Sequence, residues 1–257
     1  MPLPDPFTPN LKIDQLPEIH QAPRILSNYE AALGTRLREA VDGYIASRSS
    51  ASLDIIVQEL ELHVDADAAA ASGPDGSSGA AGSATATSYN VHAINALVLY
   101  VGVSAIVAAG REAAVAAKMT DCAQMDIFVA LARRLQPQGR YMFLNAAANQ
   151  LRFPNSHTNY FSCTLLHLFC ECSDDELILE QISRVLLERL VVNRPHPWGL
   201  MITFIELVQN ARYNFWGYDF TVADPEVRRL VESVARSCVG PAAITGIMPG
   251  APGRVPQ

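Results

Sequence analysis

The chain is short of the features that would place it in most functional classes. It has no stretch of clustered Lys and Arg, and 26 acidic side chains against 19 basic ones leave a formal net charge of −7. An acidic chain without a basic stripe draws nothing from phosphate backbones, so direct nucleic-acid binding is not expected. The N-terminal MPLPDPFTPN has neither a basic region nor an apolar one, so no secretory signal is read there. Cysteines number only five and are irregularly spaced, which points to reduced thiols in cytoplasm or nucleus rather than a disulfide framework. Alternating strand patterns, a Gly-x-Ser-x-Gly elbow, a phosphate-cradling glycine loop and a His-Glu-x-x-His helix are all missing.

Apolar side chains are plentiful, at 49% of 257 residues, with only 18% charged. That suffices for a substantial core. The best-marked stretch is Asn193–Trp216, NRPHPWGLMITFIELVQNARYNFW. Pro195 and Pro197 suit the first turn of a helix, where a missing N–H costs nothing. Trp198, Met201, Ile202, Ile205 and Val208 recur at helical spacing, with Leu200, Phe204 and Leu207 on the other side. A helix apolar nearly all round is expected to be buried among others. Tyr213, Phe215 and Trp216 then add a large apolar load just beyond it. Such a region concerns packing and surface shape rather than reaction chemistry.

Periodicity places further helices at Pro23–Tyr29, Thr35–Ser47, Ser52–His63, Tyr89–Ala109, Asp121–Leu135, Arg140–Leu151 and Thr158–Cys172. Gln136–Gly139 reads as a breaker. Ser173, with Glu176 three residues on, reads as the capping box of a helix reaching Val192, its buried stripe being Ile178, Ile182, Val185, Leu186 and Leu190. Asp224-Pro225 opens a last helix ending near Cys238. The run Ala93–Gly110 approaches the length of a membrane span. Its alanines, its Asn95, Gly102 and Ser104 and its lack of a flanking Trp favour a buried core helix. The organisation read from these signals is an extended arm over 1–20, N-terminal helices over 21–63, a low-complexity linker over 64–88, the main helical part over 89–239 and a disordered tail over 240–257. Short joints between antiparallel helices suggest an all-α stack of the HEAT or armadillo type.

Chemistry-bearing residues each carry a plainer reading. Cys163, His167 and Cys170 share one helix face, which could offer soft metal ligands, but four ligands and a Cys-x-x-Cys hook are wanting, and cysteine is commonly buried. Cys122 or Cys163 beside a histidine would be the only basis for a cysteine- or metal-dependent hydrolase, the alternative function. Asp174, Asp175 and Glu176 are accounted for by the helix dipole. No metal or cofactor is expected. His157 and His196 fall in joints between helices, where residues serve either as caps or as the edge of a docking surface.

Several long runs carry a family resemblance: PDPFTPNLKID at 4–14, APRIL at 22–26, INALVLYVG at 94–102, MDIF at 125–128, GRYMFLNAAANQLRFPNSHTNYFSC at 139–163, VLLERLVVNRPHPWGLMITFIELVQN at 185–210 and FW at 215–216. Together they make residues 2–63 and 89–238 resemble the C-terminal domain of the Not-one scaffold of the Ccr-four–Not deadenylase complex. The resemblance implies an all-helical, HEAT-like, non-enzymatic domain of cytoplasm (including P-bodies) and nucleus. It would dock the Not-two and Not-three (or Not-five) subunits and peptides of RNA-binding repressors, in support of mRNA deadenylation and decay and of translational repression. Candidate partner contacts are His157, Tyr160, Arg194, His196 and Trp198. The chain begins at what looks like the middle of that family domain, and its 64–88 tract looks longer and simpler than the family's connection.

Overall fold

The computed structural model describes residues 29–62, 88–109, 122–152, 156–193 and 195–239. The arm, nearly all of the linker, the tail, most of the expected helix at Pro23–Tyr29, and Arg194 lie outside these residues. Helix α1, Thr35–Ser47, has the bounds its periodicity predicts and buries Leu37, Ala40, Val41 and Tyr44. It stops because Arg48 adopts a left-handed conformation (φ 54°) and its N–H returns to the Tyr44 carbonyl. Helix α2, Ser50–Leu60, folds back on α1 as a hairpin.

The helix expected to run to His63 ends earlier. Glu61–Leu62 (β1) pairs antiparallel with Ser88–Tyr89 (β2), Glu61 opposite Tyr89 and Leu62 opposite Ser88. Two residues per strand are too few for alternation to show in the sequence. Tyr89 is buried, and its hydroxyl accepts from the backbone N–H of Gln136.

Helix α3, Val91–Ala109, is the membrane-length run, and half of its apolar window is buried. Ile94, Leu97, Val98 and Val101 enter the core, where α3 meets α5 and α6. Gly102 is what permits that approach, since a Cβ there would lie 2.4 Å from the Phe161 ring. Helices α4 (Ala123–Arg134), α5 (Pro137–Ala148), α6 (Ser156–Glu171) and α7 (Glu176–Val192) follow. The expected breaker at Gln136–Gly139 instead starts α5, because Pro137 sits in its first turn, where proline is pre-organised for a helix.

Helix α7 buries all five residues of its expected stripe. Its cap is Asp175 rather than Ser173: an Asp175 carboxylate oxygen accepts from Leu177 N–H at 3.1 Å. Glu176 is thereby the first helical residue, not the partner in a capping box, and it accepts from the backbone N–H of Phe220. Helix α8 (Trp198–Gln209) packs on α6 and α7. Two single 3₁₀ turns, Ala211–Tyr213 and Phe215–Gly217, and the short α9 (Asp219–Val222) lead to α10 (Pro225–Val239), which returns across α7 and α8. Each helix thus covers its sequence neighbour and one further along, the arrangement of stacked antiparallel pairs in an all-α, HEAT-like fold.

Candidate functional site

The 193–216 region is built on an aromatic corner. Phe169 of α6 lies 6.2 Å from Tyr213, 6.3 Å from Phe215 and 5.7 Å from Tyr218. Phe215 also meets Phe204, Trp216 and Phe220 edge-on. Edge-to-face rings gain quadrupole attraction beyond their buried area. Trp216 donates its indole N–H to the Val208 carbonyl at 3.0 Å, tying the corner to the end of α8. Asn214 makes the tight passage between the 3₁₀ turns at φ 52°, a conformation asparagine tolerates better than most residues.

Helix α8 is not buried all round, contrary to its composition. Leu200, Thr203, Phe204, Leu207 and Val208 face inward, whereas Trp198, Met201, Ile202 and Ile205 are half-buried. The inward face carries its own polar seam: Thr203 Oγ1 and Ser162 Oγ are 2.6 Å apart, and Thr203 donates to the Gly199 carbonyl. Gly199 lets the start of α8 approach α6 and the turn before it, since a Cβ there would meet Thr158 at 2.3 Å and the Leu151 carbonyl oxygen at 2.7 Å.

The candidate contact residues separate into two groups. His157 and Tyr160 are interior, exposed by only 7% and 2%. An expected helix start at Thr158 leaves His157 in a joint, whereas the helix begins at Ser156 and turns it inward; Tyr160 lies within the helix as expected, on its buried side. His157 Nε2 finds no hydrogen-bond partner among the described residues, and burial pushes the imidazole below its ordinary value. His196 and Trp198 are half-buried at the surface. His196 Nδ1–H donates to the Asn193 carbonyl (3.1 Å), and its Nε2 lies 3.0 Å from Ser237 Oγ. That contact joins the α7–α8 joint to α10.

Sequence reasoning missed two arginines beside this joint. Arg189 of α7 donates to the Asn145 side chain and carbonyl at 2.9–3.1 Å. Burial is the chief cause holding its guanidinium below the ordinary value, and the nearby charge of Arg152 adds to it. No periodicity signals a meeting of residues 145, 152 and 189, which only the tertiary fold brings together.

The potential reactive groups are spoken for. Asp174 is held by both terminal nitrogens of Arg133 (2.9 and 2.7 Å), which keeps its carboxyl below the usual range. Cys163, His167, Cys170 and Cys172 are buried, and burial pushes the Cys172 thiol up to about 11. A thiol so placed stays protonated at neutral pH and is a poor nucleophile. Among the described residues no three His, Cys, Asp or Glu side chains converge as a metal site would require.

With this geometry in place, comparison with known proteins gives one consistent result. The family model "CCR4-Not complex component, Not1" matches residues 1–235. The chain is 43% identical over 242 residues to the Caenorhabditis elegans CCR4-NOT transcription complex subunit let-711, covering 93% of this chain and 8% of that protein. It is 33% identical over 249 residues to general negative regulator of transcription subunit 1 of Schizosaccharomyces pombe, covering 95% and 11%. Among solved structures, the NOT1 superfamily homology domain of Chaetomium thermophilum superposes with a TM-score of 0.66 at 29% identity, over 92% of this chain and 44% of that one. A Not1 C-terminal domain in complex with Not4 gives 0.63 at 25% identity, over 91% and 44%.

Proposed function

The chain belongs to the Not1 family, and from that premise we propose that it serves as a non-enzymatic docking platform for other subunits of a CCR4-Not complex. The observation that carries the proposal is the match of nearly the whole chain, residues 1–235, to that family. The fold supports it, because a stack of helices with locked aromatic packing offers a rigid surface, and rigidity lowers the entropy cost of capture. The partners proposed are Not-two and Not-three (or Not-five), with peptides of RNA-binding repressors as further occupants. A relative solved with Not4 makes Not4 a third subunit to include. In this role the chain would support deadenylation, mRNA decay and translational repression in cytoplasm and nucleus. The chain spans about a tenth of the curated relatives' length, so it would contribute one docking region among several.

Of the candidate contacts, Trp198 and His196 sit where a partner could reach them. Co-purification of the tagged chain with the Not-two/Not-three pair at moderate salt tests the proposal, with capture of the pair expected. Folded chain that captures neither that pair nor Not4 would overturn it. Trp198→Ala is expected to weaken capture while leaving thermal unfolding close to the parent's, because the indole lies outside the main core cluster.

A further inference from the structure

Exposed large apolar side chains gather around the starts of α7 and α10. Leu177, in the first turn of α7, is 66% exposed, and Val222, Val227 and Leu230 are exposed as well. A hydrogen bond joins these elements: a Glu176 carboxylate oxygen accepts from the backbone N–H of Phe220 at 3.2 Å. Leu177 thus directly follows a residue in contact with the segment that carries Val222. Tyr218 and Phe220, both half-buried, stack at 5.9 Å, and Phe220 meets the buried Phe215 ring at 6.0 Å. The aromatic corner therefore reaches the surface here. Helix α9 packs on α10, where Val227 and Leu230, three residues apart, share one side. Single apolar side chains on a surface are ordinary, but a group anchored to rigid aromatic packing marks a contact surface.

Its surround is acidic. Asp175 and Asp224 cap α7 and α10, where the helix dipoles offset their charge. Glu180 lies three residues from Leu177, Asp219 adjoins Phe220 and Glu226 adjoins Val227; all three are exposed. Among the described residues none of the three is in an ion pair, because neighbouring arginines are engaged elsewhere: Arg133 with Asp174, Arg184 with Glu188 and Arg228 with Glu232. Arg229, two residues beyond Val227, is turned about 200° around α10 from it.

We propose that this apolar edge docks a short basic, amphipathic segment of a partner protein. The segment's large apolar side chains would cover Leu177, Phe220 and Val222, and its Lys or Arg residues would meet Glu180, Asp219 and Glu226. The inference rests on the platform reading and adds to it the chemistry of one occupant. Charge complementarity selects that occupant, since an acidic segment or a phosphate-bearing surface would be repelled. A second copy of this chain fits poorly. A two-fold contact would set the same patch against itself, carboxylate facing carboxylate, and the sequence has no cluster of Lys and Arg to offer in its place.

The test uses the full chain, immobilised, to select from a displayed library of random peptides. The best-enriched peptide and a twin with its Lys and Arg changed to Gln are then titrated by fluorescence anisotropy. Enrichment of Lys or Arg beside Leu, Ile or Phe is expected, as is about tenfold weaker binding of the twin. Leu177→Ser is expected to weaken both peptides about tenfold, because it removes an apolar anchor. Glu180→Gln is expected to weaken the basic peptide about threefold and to leave the twin unchanged. Glu39→Gln removes the same charge from an exposed position on α1 and is expected to change neither. Far-UV circular dichroism and the thermal midpoint report whether each variant folds. If Leu177→Ser does not fold, Glu180→Gln set against Glu39→Gln carries the test. No enrichment, enrichment without basic residues, parent-like binding by folded Leu177→Ser, equal effects of Glu180→Gln and Glu39→Gln, or dimerisation through this face would each overturn the inference. Capture of Not-two/Not-three is measured in parallel. A chain that captures the pair yet shows no basic preference sinks only the inference, whereas a chain that does neither sinks the platform reading as well.

Discussion

The two ends of the helical stack are fastened differently. At the N-terminal end, the α1–α2 hairpin enters the common core through Leu37, Val41, Ile56 and Leu60 and adds polar ties at its rim. Arg48 pairs with Asp126 of α4, Asp54 with Arg134, and Tyr100 of α3 donates to Asp42 at 2.6 Å. At the other end, α6, α8 and the 211–220 segment are joined through Phe169, Phe204, Tyr213, Phe215 and Phe220. Exposed ion pairs contribute little and are screened by salt, while buried rings contribute several kcal/mol that salt hardly touches. The aromatic end, with more buried ring surface, is therefore expected to contribute most to the stability of the domain, and the hairpin end to loosen first.

The strongest way to break this contrast is Phe215→Ala, which removes a ring that is 2% exposed and meets Phe169, Phe204, Trp216 and Phe220. A loss of about 3–5 kcal/mol in chemical denaturation is expected. A loss below 1 kcal/mol would mean the corner is not the anchor. Gly199→Ala should follow, at about 1–3 kcal/mol, because its new methyl would press on a backbone carbonyl that cannot rotate away.

A pH scan probes the same end. His157 is buried with its imidazole pushed below the ordinary value, so below about pH 6.5 the unfolded chain takes up a proton that the folded chain refuses. Stability should therefore fall as pH drops from about 6.5, levelling off once the folded histidine also protonates. His157→Gln should flatten that slope, and an unchanged slope would remove the histidine from the account. The smallest effect is expected at the hairpin: Arg48→Ala should cost about 0.2–1 kcal/mol and still less at high salt. Hydrogen exchange that proves as slow in α1 as in α8 would erase the comparison itself.

Much of the fold was legible because its helices follow their apolar period closely. Thr35–Ser47 and the α7 stripe emerge from spacing alone. Boundaries slipped where one residue has two roles: Pro137 starts a helix as readily as it ends one, and Asp175 outcompetes Ser173 as a cap by accepting from Leu177 N–H. The site was less legible. Moving the start of α6 by two residues carries His157 from an expected joint into the interior, while Tyr160, already within the expected helix, falls on its buried side. The meeting of Asn145 and Arg189, and the closeness of Arg152, depend on contacts across dozens of residues, which no local pattern encodes. Composition also overstated the burial of α8, since apolar content does not say which side a neighbour will cover.

The small antiparallel clip of Glu61–Leu62 with Ser88–Tyr89 has an evolutionary consequence. It pins both ends of the intervening Ala-, Gly- and Ser-rich tract side by side, with Tyr89 seated against the α4–α5 junction. Doubling the length of such a loop costs only about 0.6 kcal/mol in closure entropy. The tract can therefore lengthen, shrink or change composition between lineages while the helices on either side stay in register, which makes it a natural place for insertions to accumulate.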